Sequence, residues 1–202
     1  AKLAQFTPKI GYPDKWRDYS ALEVRPDDLL GNVRRSAEFE HAYELGKLGG
    51  GVPVNKAYMV MNGLVEIDAD NIARPELFES WETGEGAVEW VFQVRQGVTF
   101  HNGKTLSADD VIYSLNLHRG DSSSAARSVA AAFADVQKLS DHAVKITLAS
   151  GNADLPYVLS DYHFLVVPDG FTDWAMPIGT GPFIPGSFAP GVRARFTRNP
   201  NY

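Results

Sequence analysis

The chain contains no cysteine, which excludes disulfides and thiolate metal sites while leaving the cellular compartment open. No run of about 18 apolar residues occurs, so nothing reads as a membrane-spanning helix. Positive charge is scarce. Lys and Arg number 19 against 25 Asp and Glu, for a net charge of −6, and the basic residues never cluster beyond Arg34-Arg35. That balance argues against a nucleic-acid surface. Catalytic signatures are missing too. H-E-x-x-H is absent: His41 is followed by Ala42-Tyr43-Glu44, and His101, His118, His142 and His163 stand alone. There is no Gly-x-Ser-x-Gly, and no Ser lies in a recognisable nucleophile setting with His and Asp. Gly103-Lys104-Thr105 looks like the end of a phosphate loop, but Gly97 lies one residue too far back and the intervening residues read as a strand. The sequence therefore predicts neither a catalytic centre nor a metal or cofactor.

What is present suits one good-sized domain, or one domain with an appendage: 202 residues, 44% hydrophobic and 11% aromatic. The clearest stretch runs from Val88 to Leu117. Val88, Trp90, Phe92 and Val94 alternate with Glu89, Gln93 and Arg95, the period of a half-buried strand. Gly97 breaks the run, Val98–Phe100 resumes extended structure, and His101-Asn102-Gly103 turns the chain. Ser107 is the expected N-cap of a helix, with Asp109 and Asp110 in its first turn and Asp110 able to close a capping box. Val111, Ile112 and Leu115 form its buried stripe, and Gly120 is its natural stop.

Elsewhere the pattern predicts an apolar helix end or buried segment over Met59–Ile67, running into a short strand. A turn at Asp68–Asn71 and a short helix from Pro75 towards Trp81 follow. Ala125–Phe133 is Ala-rich and reads as helix. Val136–Leu148 reads as a hairpin turning at Asp141-His142, with Val144, Ile146 and Leu148 inward. Leu155–Ser160 reads as a short helix, Phe164–Val167 as a buried strand, and Gly179-Thr180-Gly181-Pro182-Phe183 as a glycine corner entering a strand. In the last strand, Arg193 and Arg195 read as the solvated face of a sheet edge.

The first fifty residues differ in character. Residues 1–25 are rich in turn formers and aromatics, the text is helical from Pro26 to about Leu48, and Gly49-Gly50-Gly51 closes it. Pro8-Lys9-Ile10-Gly11-Tyr12-Pro13-Asp14-Lys15-Trp16-Arg17-Asp18-Tyr19, followed by Asp28-Leu29-Leu30-Gly31-Asn32-Val33, resembles the bacterial neprilysin-like zinc endopeptidases. This resemblance does not bring that family's metal site with it.

From residue 58 onward six landmarks are similar to a different family. They are Gly63-Leu64-Val65-Glu66-Ile67-Asp68; Pro75-Glu76-Leu77 with Ser80-Trp81-Glu82; Phe92 through Gly97; Phe100 through Val111; Gly179 through Phe183; and Arg198-Asn199-Pro200-Asn201-Tyr202. In this order they resemble the peptide- and nickel-type solute-binding proteins (family 5) of bacterial ABC importers. The resemblance implies a two-lobed periplasmic or otherwise extracytoplasmic receptor, here represented by much of its first lobe, although no signal peptide opens the sequence. It implies an oligopeptide or similar small solute as ligand and an ABC permease as partner of the full-length relative.

The expectations are accordingly an α+β fold: a mixed, largely antiparallel sheet with flanking helices, the partial lobe of a periplasmic-binding-protein-like fold, plus an N-terminal helical segment. The domains divide into 1–51, peptidase-like, and 52–202, the partial lobe. The candidate ligand-facing residues are Asn62, Tyr162, His163, Trp174 and Thr180. The N-terminal helix is expected to cover a bare edge or face of the sheet, and self-association through an exposed edge is expected. The alternative is a non-catalytic fragment or fusion of a zinc metallopeptidase, or a chimera with no function of its own.

Overall fold

The computed structural model describes residues 21–24, 59–174, 176–189 and 193–202. The expected helix over 26–48 and nearly all of the peptidase-like segment lie outside the described residues.

Four antiparallel strands form the main sheet, in the order β4 (Phe78–Thr83), β5 (Glu89–Val94), β7 (Ala143–Leu148), β6 (Phe133–Ser140). The alternation in β5 is realised: Trp90, Phe92 and Val94 are buried, and Phe92 stacks on Phe78 of β4 with ring centroids 4.5 Å apart. Val88, expected on the same inward face, precedes the strand and is exposed; its carbonyl accepts the Leu148 N–H at the sheet's end. Strands β6 and β7 form the predicted hairpin, with Val144, Ile146 and Leu148 buried as expected.

Helix α1 (Ala108–Asn116) packs against β6 and β7 and buries Ala108, Val111 and Leu115. Its capping box forms: the Ser107 N–H donates to the Asp110 carboxylate at 2.8 Å. Asp110 is itself fully buried, and a buried carboxylate is tolerated only when its lone pairs are used. Here they are. The Lys104 ammonium, the Ser107 hydroxyl and the Asp169 N–H all donate to it.

Among the described residues, two smaller sheets accompany the main sheet. β2 (Val65–Ile67) and β3 (Ala73–Pro75) form a hairpin around the expected Asp68–Asn71 turn, and Asn71 takes a left-handed φ of 60° there. The second sheet has the order β1 (Ala21–Val24), β9 (Arg193–Arg198), β8 (Phe183–Ala189), again antiparallel.

Several expectations are corrected. No helix runs from Pro75 to Trp81: this stretch closes β3 and becomes β4, because pairing with β5 satisfies its backbone and buries Phe78. The Ala-rich stretch is helical for only one turn, α2 (Arg127–Ala130), and Phe133 already belongs to β6, since its ring is needed in the core. In the stretch 164–167, Phe164, Val166 and Val167 are buried but form no ladder; the Val166 N–H donates to the Asn62 carbonyl instead. β9 is a central strand, because β1 pairs along the side that Arg193 and Arg195 were expected to leave open. The turn-rich opening thus supplies a strand at Ala21–Val24. The helix α3 (Leu155–Val158) lies within the predicted 155–160.

Candidate functional site

The glycine corner brings three distant landmarks together. Gly181 accepts from the His101 Nε2–H and from the Asn199 amide, at 2.9 and 3.0 Å, while its own N–H donates to the Val60 carbonyl at 2.8 Å. The His101 N–H donates to the Gly179 carbonyl at 2.9 Å. Both glycines are dictated by proximity: a Cβ on Gly179 would lie 2.1 Å from the Val60 oxygen, and one on Gly181 would lie 2.7 Å from the Val60 carbon. This corner is a packing joint rather than an anion cradle. Burial lowers the pKa of His101, and the bond its Nε2–H donates to Gly181 opposes that shift.

Beside the joint lies a pocket of about 420 Å³, within the range of small-molecule sites. Its polar wall includes Asn62, Glu66, Glu76, Arg95, Thr180 and Tyr202. Five of these are wired to one another. The Thr180 hydroxyl donates to Asn62 Oδ1 at 2.9 Å, and Asn62 Nδ2 donates to Glu76 Oε1 at 2.9 Å and towards the Tyr202 hydroxyl at 3.4 Å. Arg95 Nε donates to the Glu76 backbone carbonyl at 2.7 Å. Gly63 leaves room for the carboxylate, since a Cβ there would sit 2.8 Å from Glu76 Oε2. Burial raises the Glu76 pKa and the nearby Glu66 charge adds to the rise; the bonds from Asn62 and Gly63 and the Arg95 charge oppose it without cancelling it.

Of the predicted site residues, Asn62 and Thr180 thus meet in the pocket wall. Tyr162, His163 and Trp174 do not line it. Tyr162 stacks on His163 at 4.1 Å, and His163 Nδ1 donates to Asp161 at 2.5 Å. Trp174 packs edge-on against Phe171 in a second apolar cluster. Nearby, His118 is buried and bonded to Ser124 at 2.7 Å; burial and the His163 charge lower its pKa to about 4. Glu76, Arg95 and Tyr202 were missed. Glu76 was hidden by the helical reading of 75–81. Arg95 and Tyr202 stood in recognised landmarks with no signal of where their side chains would go. Among the described residues no group of three or more His, Cys, Asp or Glu is placed to hold a metal.

Residues 73–202 match the model for bacterial extracellular solute-binding proteins, family 5 Middle. The chain is 28% identical over 176 residues to a probable di/tripeptide-binding protein 5 of Pseudomonas aeruginosa, an alignment covering 72% of this chain and 34% of that protein. The periplasmic binding protein MoaA of A. tumefaciens R10, solved with mannopinic acid, superposes with a TM-score of 0.67 at 26% identity, covering 75% of this chain and 34% of that one. AgaA of the same strain, solved with agropinic acid, gives a TM-score of 0.70 at 24% identity, over 82% of this chain and 34% of that one. The chain spans about a third of the length of these proteins.

Proposed function

The chain belongs to the family 5 bacterial extracellular solute-binding proteins, and on that premise we propose that it forms one solute-contacting wall of such a receptor. The ligand is a peptide or similar small solute, the setting is periplasmic or extracytoplasmic, and an ABC permease receives the solute from the whole protein. The role is binding without bond-breaking, in keeping with the family. Residues 52–202 make up the lobe, to which the segment 1–51 adds the strand Ala21–Val24. The peptidase alternative gains nothing from the family match, which begins at residue 73.

The observation that carries this reading is the pocket beside the glycine joint, where Asn62 and Thr180 present a wired polar wall in a cleft of ligand size. A few convergent polar groups in a concave surface are what orient a bound solute. Receptors of this kind bury the ligand between two walls, so one wall binds weakly. Titration with a mixture of di- to pentapeptides is expected to give saturable millimolar-range binding that weakens in N62A. Absence of saturable binding, or full binding by N62A, refutes the assignment.

The lobe also has strand edges at β4 and β8, and these give a route to self-association. Static light scattering tests this: a mass that rises with concentration is expected, and a constant monomer mass refutes it.

A further inference from the structure

We propose that the tip of the turn bridged by Thr99 and Thr105 is a self-modification site: Asn102 loses its side-chain amide to attack by the Gly103 nitrogen, leaving aspartate or isoaspartate.

The sequence holds two Asn-Gly pairs, Asn62-Gly63 and Asn102-Gly103, and the fold sets them apart. At the second, the Phe100 N–H donates to the Lys104 carbonyl and the Gly103 N–H to the Phe100 carbonyl, both at 2.8 Å. This is the hairpin loop in which a left-handed residue follows a tight turn, and Gly103 fills that position with a φ of 84°. The turn thus demands glycine at the one place where the missing Cβ leaves the backbone nitrogen open to the side chain before it. Asn102 and Gly103 are both exposed, so water competes for the Gly103 N–H and the tip opens at little cost. Asn102 Oδ1 accepts the Lys104 N–H at 3.1 Å, which draws electron density from the carbon to be attacked.

Asn62 is the opposite case. It is 8% exposed; its Oδ1 accepts from Thr180, its Nδ2 donates to Glu76, and the Gly63 N–H donates to the Glu76 carboxylate. Attacking nitrogen and target carbon are both held, so reaction there requires the pocket wall to come apart.

The step needs only water. The Gly103 nitrogen gives up its proton and bonds to Asn102 Cγ; the Cγ–Nδ2 bond breaks, and ammonia leaves with that proton. Water then opens the succinimide at either carbonyl, giving aspartate or isoaspartate. The isoaspartyl product adds a methylene to the backbone beside His101, whose N–H donates to Gly179 in the glycine joint. Thr99, on the same turn, lines the pocket.

The test is incubation of the unaltered chain at mildly alkaline pH, folded and in urea, followed by peptide mapping with mass spectrometry. An isoaspartyl methyltransferase with a labelled methyl donor marks the isoaspartate. In the folded chain Asn102 is expected to lose its amide at least about tenfold faster than Asn62, because one sits at a fraying tip and the other in a closed wall. In urea the two rates should converge. N102Q should remove the methyl label from the tip peptide. Equal loss at both asparagines in the folded chain, an Asn102 that stays intact there, or a label confined to the Asp169-Gly170 peptide overturns the assignment.

Discussion

The backbone N–H of Asp169 donates to the carboxylate of Asp110 at 2.7 Å, across 59 residues of sequence. That carboxylate also closes the α1 capping box and receives Lys104, so one buried side chain fastens a turn, a helix start and a distant loop.

D110A removes the acceptor for all three and orphans two backbone donors. It is expected to cost about 3 kcal/mol in urea unfolding at pH 7, with D110N costing less because one acceptor oxygen remains. A loss under about 1 kcal/mol for D110A would show that the fastening is redundant.

G179A places a Cβ against the Val60 carbonyl in backbone that has no flexible side chain to yield. About 3 kcal/mol of destabilisation is expected from the overpacking. G84A, where a Cβ meets nothing within 4 Å, is the control and should be near neutral. Chemical denaturation of the pair gives the comparison.

His118 is neutral and buried, with a pKa lowered from 6.5 to about 4 by burial and by the charge of His163. The unfolded chain therefore binds a proton that the folded one refuses between those values. Stability is fully present above about pH 6.5 and falls with pH down to about 4, by about 3 kcal/mol. Facing groups contribute less within this window: Ser124 does not titrate, and the Asp161 pKa is lowered by its His163 bond against its own burial. H118Q should flatten the pH 4–6.5 limb of a stability profile measured by urea titration.

Glu76 runs in the opposite sense. Its folded pKa is raised from 4.5 by burial, so the native state holds the proton longer than the unfolded state does. Stability from this group is greatest below its unfolded pKa and declines as pH rises through the folded one. E76Q keeps an acceptor for Asn62 and removes the charge. Its stability relative to the unaltered chain is expected to improve from pH 4 to pH 7. A difference independent of pH would show that Glu76 is not desolvated in solution.

Where local pattern and tertiary need agree, the residues could be read directly. The alternation at Trp90, Phe92 and Val94, the Ser107–Asp110 box and the β6–β7 hairpin each repeat a local rule that packing has no reason to override. Pro75–Trp81 and Ala125–Phe133 went the other way. Their local text favours helix, but Phe78 and Phe133 are large rings whose burial requires extended backbone beside β5 and β7. Arg193 and Arg195 looked like an edge because nothing in their own strand announces that Ala21–Val24 pairs beside it.

The site divides in the same way. Thr180 stood inside a recognised landmark and Asn62 just ahead of another, but the bond between them spans 118 residues. Glu76 became part of the wall only when β3 and β4 formed.

Taken alone, the order of residues carried the family resemblance through its six landmarks, and it settled the main sheet's inner strand and the capped helix because periodicity and capping act over a few residues. Folding in three dimensions decided which strands are central, and which polar groups meet at the pocket. Hydrogen bonds and burial between segments more than a hundred residues apart leave no periodic trace in the chain.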